Sequence, residues 1–193
     1  MEPTPVLYRA EPTDLAGHRL TVQIQITSPQ TDGQILSLPA WIPGSYLIRD
    51  FSRQIESIAA FSGEKPVSIR KLDNHRWQCE PCEGPLSVQY QVYAWDLSVR
   101  GAHIDQTHAF FNGTSALLAV EGQTEQPCLL ELVSNEDMED WQVYTSLPEV
   151  NRPFVIGNTA TNAQYQTINW TRANAAQSES DGSVEDESEN EER

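Results

Sequence analysis

Positive charge is scarce in this chain. Its 193 residues hold 12 Lys and Arg against 28 Asp and Glu, a formal net charge of −16. The segment from Ser178 to Arg193 has eight of the acids and one Arg, so seven of those negative charges sit in the tail and nine on the body. Nucleic acid and anionic membrane surfaces both demand basic patches, so neither is expected as a partner. Long apolar runs are missing too. Nothing approaches the run of about 18 apolar residues that a membrane-spanning helix requires. Met1 to Thr13 lack a charged segment followed by an apolar one, so no secretory signal is expected and the expected location is the cytoplasm. Cysteine is sparse: Cys79, Cys82 and Cys128 form an odd set with no disulfide framework, which fits a reducing compartment.

Two catalytic signatures are absent as well. No HExxH occurs, and none of the four histidines, His18, His75, His103 and His108, is followed by Glu. A helical zinc-hydrolase site needs two His one turn apart with a Glu between them as general base, so that site cannot be built from these residues. There is no G-x-S-x-G nucleophile elbow. No long amphipathic helix and no internal repeat at a fixed period are apparent.

What is present is period-2 alternation. In "HRLTVQIQITS", Leu20, Val22, Ile24 and Ile26 share one face, with Thr21, Gln23 and Gln25 on the other. That is the pattern of a half-buried antiparallel strand. "GQILSLPA", "PVSIRKL", "HRWQCE", "PLSVQYQVYAW", "SALLAVEG", "PCLLELVS" and "WQVYTSL" read as further strands. Turn residues separate them, at Asp32-Gly33, Ser62-Gly63, Asp73-Asn74, Glu83-Gly84-Pro85, Asn112-Gly113 and Glu121-Gly122. The expected fold is all-β, an antiparallel β-sandwich over residues 1–150. "IRDFSRQIESIAAF" fits a helix or a strand about equally. Residues 151–177 are polar with little periodicity. Residues 178–193 are acidic and free of large apolar side chains, so they cannot bury enough surface to offset ordering entropy and are expected to be disordered.

Three places could carry chemistry. Cys79 and Cys82 form a lone CxxC that, with Cys128 and His75, His103 or His108, could complete a zinc site, although two ordinary thiols at a strand end is the favoured reading. His103, Asp105 and His108 could bind a metal or pair as base and orienter, or form a polar loop between two strands, and the loop is favoured. The stretch "WIPGSYLIRDFSR" packs Trp41, Pro43, Gly44 and Tyr46 ahead of Arg49, Asp50 and Arg53. Pro43 and Gly44 should form a sharp corner with Trp41 and Tyr46 as anchors.

Trp41-x-Pro43-Gly44-Ser45-Tyr46 with Arg49 and Arg53, the run Asp96 to His103, and Phe111-Asn112-Gly113-Thr114-Ser115 together resemble the N-terminal domain of the glycyl-aminopeptidase family of zinc metallopeptidases, proteases that often carry a C-terminal PDZ domain. The resemblance covers residues 5 to 150. It implies a β-sandwich ahead of a thermolysin-like catalytic domain that holds the zinc and the general base. It implies no catalytic residue, metal or cofactor in this chain, which should be inactive alone, with peptide substrates met only through that further domain. The departure from the family pattern after residue 150 suggests a truncated product. By order along the chain, Asn112, Gly113 and Thr114 would correspond to a loop that lines the substrate cleft. An Asn-Gly pair is also a type I′ hairpin turn, and that reading is favoured. Arg49, Asp50 and Arg53 would either pair with one another or reach the further domain. A free-standing β-sandwich binding module is the alternative function, and self-association through an uncovered face is an expectation of both.

Overall fold

The computed structural model describes residues 6–42, 45–148, 155–158 and 167–172. The expected corner at Pro43-Gly44 and the expected disorder of residues 178–193 lie outside these residues.

The chain is all-β, as the alternation indicates. The strands are β1 (Val6–Asp14), β2 (Arg19–Ile26), β3 (Ile35–Ser37), β4 (Ile55–Ser62), β5 (Lys65–Val67), β6 (Ile69–Lys71), β7 (Arg76–Cys79) and β8 (Leu86–Tyr93). They continue with β9 (Ala102–Ile104), β10 (His108–Asn112), β11 (Ala119–Val120), β12 (Cys128–Leu132), β13 (Trp141–Thr145), β14 (Val155–Asn158) and β15 (Thr167–Arg172). A seven-stranded sheet runs in the order β14-β12-β1-β2-β8-β4-β5. Two four-stranded sheets run β13-β15-β10-β9 and β11-β3-β7-β6. The β1–β12 pairing is parallel, and the other pairings are antiparallel.

Register explains why the large sheet has one dry face. In β2 and β8 the rungs Leu20–Val92, Val22–Tyr90, Ile24–Val88 and Ile26–Leu86 lie opposite one another, and all eight side chains are buried. Each fully buried aliphatic side chain is worth about 1.5–3 kcal/mol of transfer free energy. A one-residue slip would put these rungs into water and bring Gln23 and Gln89 inside, so the pairing is strongly specified. Buried residues of the two smaller sheets, among them Leu36, Trp77, Ile104, Phe111, Ile168 and Trp170, join the same apolar cluster. The smaller sheets therefore pack over the dry face of the large one.

The ambiguous "IRDFSRQIESIAAF" is neither one helix nor one strand. A single 3-10 turn, Phe51–Gln54, leads directly into β4. "SALLAVEG" is mostly not a strand: a short helix, α1 (Gly113–Ala116), precedes the two-residue β11. Within the polar segment 151–177 two strands appear. β15 pairs with β10 on one side and β13 on the other, and it buries Ile168 and Trp170. Trp41 and Tyr46 do not act as core anchors. Trp41 is 52% exposed, with its indole N–H donating to the Ser45 carbonyl at 2.7 Å, and Tyr46 is fully exposed.

Candidate functional site

The three sequence motifs, distant along the chain, meet at one cleft. Its walls come from Leu47 to Phe51, Arg53 and Gln54, from Asp96, Gly101 and Ala102, and from Ser115, over a floor of Val92 and Tyr93 at the end of β8. The cavity is about 270 Å³.

Local hydrogen bonds fix each wall. The Arg49 N–H donates to the Ala40 carbonyl at 2.6 Å, which holds the first motif against the end of the preceding segment. Asp50 Oδ1 accepts the Ser52 hydroxyl at 2.8 Å at the start of the 3-10 turn, where Phe51 and Ser52 are buried. In the second motif, Asp96 Oδ1 accepts the Ser98 N–H, and the Asp96 N–H donates to the Ala102 carbonyl, both at 2.8 Å. Gly101 makes this closure possible. A Cβ there would lie 2.6 Å from Asp96 Cγ and 2.7 Å from the Asp96 carbonyl oxygen. The loop so formed pushes Leu97 and Val99 outward, 69% and 70% exposed. Together with Tyr46, Leu47 and Ile48 they leave an apolar rim in water beside the cleft.

The third motif is locked from below. Asn112 caps α1: its Oδ1 accepts the Thr114 N–H at 3.0 Å and the Thr114 hydroxyl, while the Ser115 hydroxyl donates to the Asn112 carbonyl at 2.8 Å. Asn112 has φ −85°, and Gly113 is helical, so the pair is not the type I′ turn that was favoured from sequence. Two buried tyrosines hold the far end. Tyr8 donates to the Leu118 carbonyl and Tyr90 to the Ala116 carbonyl, each at 2.9 Å. Gly113 and Thr114 are buried, and of this motif it is Ser115 that faces the cleft.

The arginines answer one question left open by the sequence. Neither Arg49 nor Arg53 makes an ion pair among the described residues, and Asp50 has only His75 nearby, at 4.0 Å. Arg49 Nε is buried with no hydrogen-bond partner. A buried charged donor left unmet is costly; Arg49 meets that description, and the exposed Arg53 lines the same cleft, with no carboxylate among the described residues paired to either. Sequence reasoning noticed these residues but had no means to separate local pairing from display.

The remaining candidates are placed as follows. Cys79 is fully buried in the core, and burial pushes its thiol up to about 12, whereas Cys82 is half-buried near the Gly84 carbonyl. All three cysteines are free thiols, and among the described residues no cysteine belongs to a cluster with metal-ligand spacing. His103 lies in β9 and His108 in β10, so of the three residues expected in a polar loop between two strands only Asp105 lies in the connecting turn. Among the described residues, no helix is long and apolar enough to cross a membrane.

Comparison with known proteins agrees with the geometry. Residues 7–176 match the family model described as the peptidase M61 N-terminal domain. The crystal structure of an aminopeptidase N family protein from Idiomarina loihiensis is 40% identical, with a TM-score of 0.81; the alignment covers 86% of this chain and 29% of that one. An M1 zinc metallopeptidase from Deinococcus radiodurans shares the fold at 11% identity and a TM-score of 0.50, over 87% of this chain and 41% of its own. No curated protein sequence matches. The chain thus spans less than a third of the Idiomarina protein, and over that span, with the three motifs gathered at one cleft, it belongs to the peptidase M61 N-terminal domain family.

Proposed function

We propose that this chain works as the non-catalytic N-terminal domain of a glycyl-aminopeptidase-like zinc metallopeptidase. In this reading it packs on the catalytic region that longer relatives carry and helps shape the substrate cleft there. The observation that carries the reading is the cleft itself: three motifs converge on it, its rim is apolar and exposed, and Arg49 and Arg53, without an ion pair among the described residues, line it. Exposed apolar groups beside unmet charge are the marks of a surface meant to be covered. The chain alone turns over no substrate in this reading, the catalytic zinc belongs to the catalytic region, and peptides are met only through it. A cytoplasmic setting is part of the same proposal and is supported by three cysteines that remain thiols.

The test is a chimera in which this chain replaces the matching part of the Idiomarina protein. Turnover of Gly- or Ala-anilides is expected from the chimera and not from the chain by itself. Leu97→Asp or Ile48→Asp on the rim should then lower kcat/KM by roughly tenfold or more, because small misplacements of a cleft wall are expensive in rate. Robust turnover by the isolated chain would overturn the proposal.

A finer assignment gives Asn112, Gly113 and Thr114 a substrate-binding role. Its support is their place at the start of α1, one residue from the cleft-facing Ser115. Their polar groups are largely spent on one another, so the role would be to set the position of Ser115 and the backbone beside it. In the chimera Asn112→Ala should raise KM for substrates with a free N-terminal amine; an unchanged KM would remove this assignment.

The same exposed rim favours one alternative, a free-standing binding module that recruits a partner or a second copy. Sedimentation of the isolated chain separates the two. A dimer that persists on dilution and is broken by Leu97→Asp would support the module, and the acidic tail should weaken such pairing most at low salt.

A further inference from the structure

We propose that His103, Asp105 and His108 form a binding site for a single divalent transition-metal ion of the zinc class. Their ligand atoms all lie within 4.8 Å of one another. His103 Nε2 is 3.1 Å from Asp105 Oδ2, and His108 Nδ1 is 3.3 Å from Asp105 Oδ1. Two imidazoles and one carboxylate select a borderline cation such as Zn²⁺ over Ca²⁺ or Mg²⁺, which prefer all-oxygen shells.

The site is held by the fold and needs no rearrangement of the backbone. His103 and His108 stand on paired strands, where Phe110 lies opposite His103. Their rings stack with centroids 4.9 Å apart and planes inclined by 27°. The stack continues behind them: His103 lies 4.6 Å from Trp95, which lies 3.7 Å from His18. Ring orientation, the usual source of error in a metal site, is thereby restricted on the side that Trp95 covers.

Asp105 divides its two oxygens by task. Oδ1 closes the turn, accepting the N–H groups of Thr107 and His108 and the Thr107 hydroxyl. Oδ2 meets only His103 Nε2. With a single contact, Oδ2 has lone pairs to spare for a cation.

Binding replaces the His103–Asp105 hydrogen bond by two bonds to the ion and moves the His103 ring proton to Nδ1. That nitrogen is buried without a partner, so the change of tautomer exchanges one unmet group for another. His108 is half-buried, and its Nδ1 lies 3.1 Å from the Thr107 hydroxyl oxygen, so binding exchanges that contact for a bond to the ion. Water would fill the remaining coordination positions. All the protein ligands come from one strand–turn–strand unit, so the site is complete in this chain.

The test is calorimetric titration of the chelator-treated full chain with ZnCl₂, repeated with CoCl₂ and followed by absorption in the visible region. One equivalent per chain and a tetrahedral Co²⁺ spectrum are expected. His103 is buried and its replacement risks the fold, so the decisive variants are His108→Ala and Asp105→Asn, the second of which keeps an oxygen to close the turn. Each should weaken zinc binding by roughly tenfold or more, with unchanged near-ultraviolet circular dichroism, while His75→Ala leaves it as it was. No saturable binding in the native chain would overturn the proposal. So would saturable binding that survives His108→Ala, which would place the ion on the acidic tail.

Discussion

Tyr90 and Leu118 are joined by a hydrogen bond in which the phenol oxygen accepts the Leu118 N–H at 3.0 Å, while the same hydroxyl donates to the Ala116 carbonyl at 2.9 Å. One fully buried side chain on the large sheet thus satisfies two backbone groups where α1 gives way to β11. Tyr90→Phe keeps the ring and strands both groups. Each unmet buried group costs on the order of 1–3 kcal/mol, so the unfolding free energy should fall by roughly 2–6 kcal/mol for the two, read as a lower urea midpoint. An unchanged midpoint would mean that water replaces the hydroxyl.

Gly101 should tolerate no side chain. An Ala methyl would collide with the Asp96 backbone as well as its carboxyl group, and backbone cannot step aside as a flexible side chain does. Gly101→Ala should lower stability by about 1–3 kcal/mol and loosen the Asp96–Gly101 turn. Faster amide exchange at Ser98 and Gly101, whose N–H groups close that turn, would be the local signature.

The thiols should separate by reactivity and the fold should weaken in alkali. A maleimide reagent should label Cys82 and Cys128 in the native chain and reach Cys79 only after unfolding, since Cys79 is buried in the core. Burial raises the Cys79 pKa from 9.0 to about 12, and it also raises those of Tyr8 and Tyr90. These groups bind their protons more tightly when folded. Their contribution is therefore complete below the unfolded pKa of the thiol and is lost as pH climbs through the folded values. The urea midpoint should hold steady to about pH 9 and fall above it.

Arg49→Met should leave the isolated chain as stable as before or more so. It removes a buried donor with no partner and keeps most of the apolar stem that lines the cleft. In the chimera the same change should reduce activity, because the guanidinium would there have a partner to lose. A large loss of stability in the isolated chain would show that Arg49 has an internal role.

The sheets were legible because their residues obey a local rule. Leu20 to Ile26 and Leu86 to Val92 alternate without interruption, and alternation survives whatever packs against it. β15 was missed because only Ile168 and Trp170 announce it. Its place between β10 and β13 is decided by partners far away in sequence, and the neighbouring Asn and Thr residues hide the pattern. Gly113 misled for a related reason. Asn-Gly favours a hairpin turn in isolation, but here Tyr8 and Tyr90 hold the far end of the segment, and the cap from Asn112 to Thr114 favours a helical turn instead. The cleft could be named from its motifs but not assembled from them. Which carboxylates lie within reach of Arg49 and Arg53 is a question of tertiary distance, and no local pattern encodes it.

The parallel pairing of β1 with β12 sets the order in which this domain can form. Val6 meets Cys128 and Ala10 meets Leu132, so the first strand finds one of its two neighbours only after most of the chain is available. β15, later still, fills the interior of a second sheet. Loop closure between such distant segments must be met before their contacts repay it, which places folding on the order of milliseconds to seconds. Until then β1 can pair only with β2, and its outer edge stays open. The most exposed moment in the life of this domain therefore falls during synthesis, when β1 is a free edge open to pairing with another nascent copy.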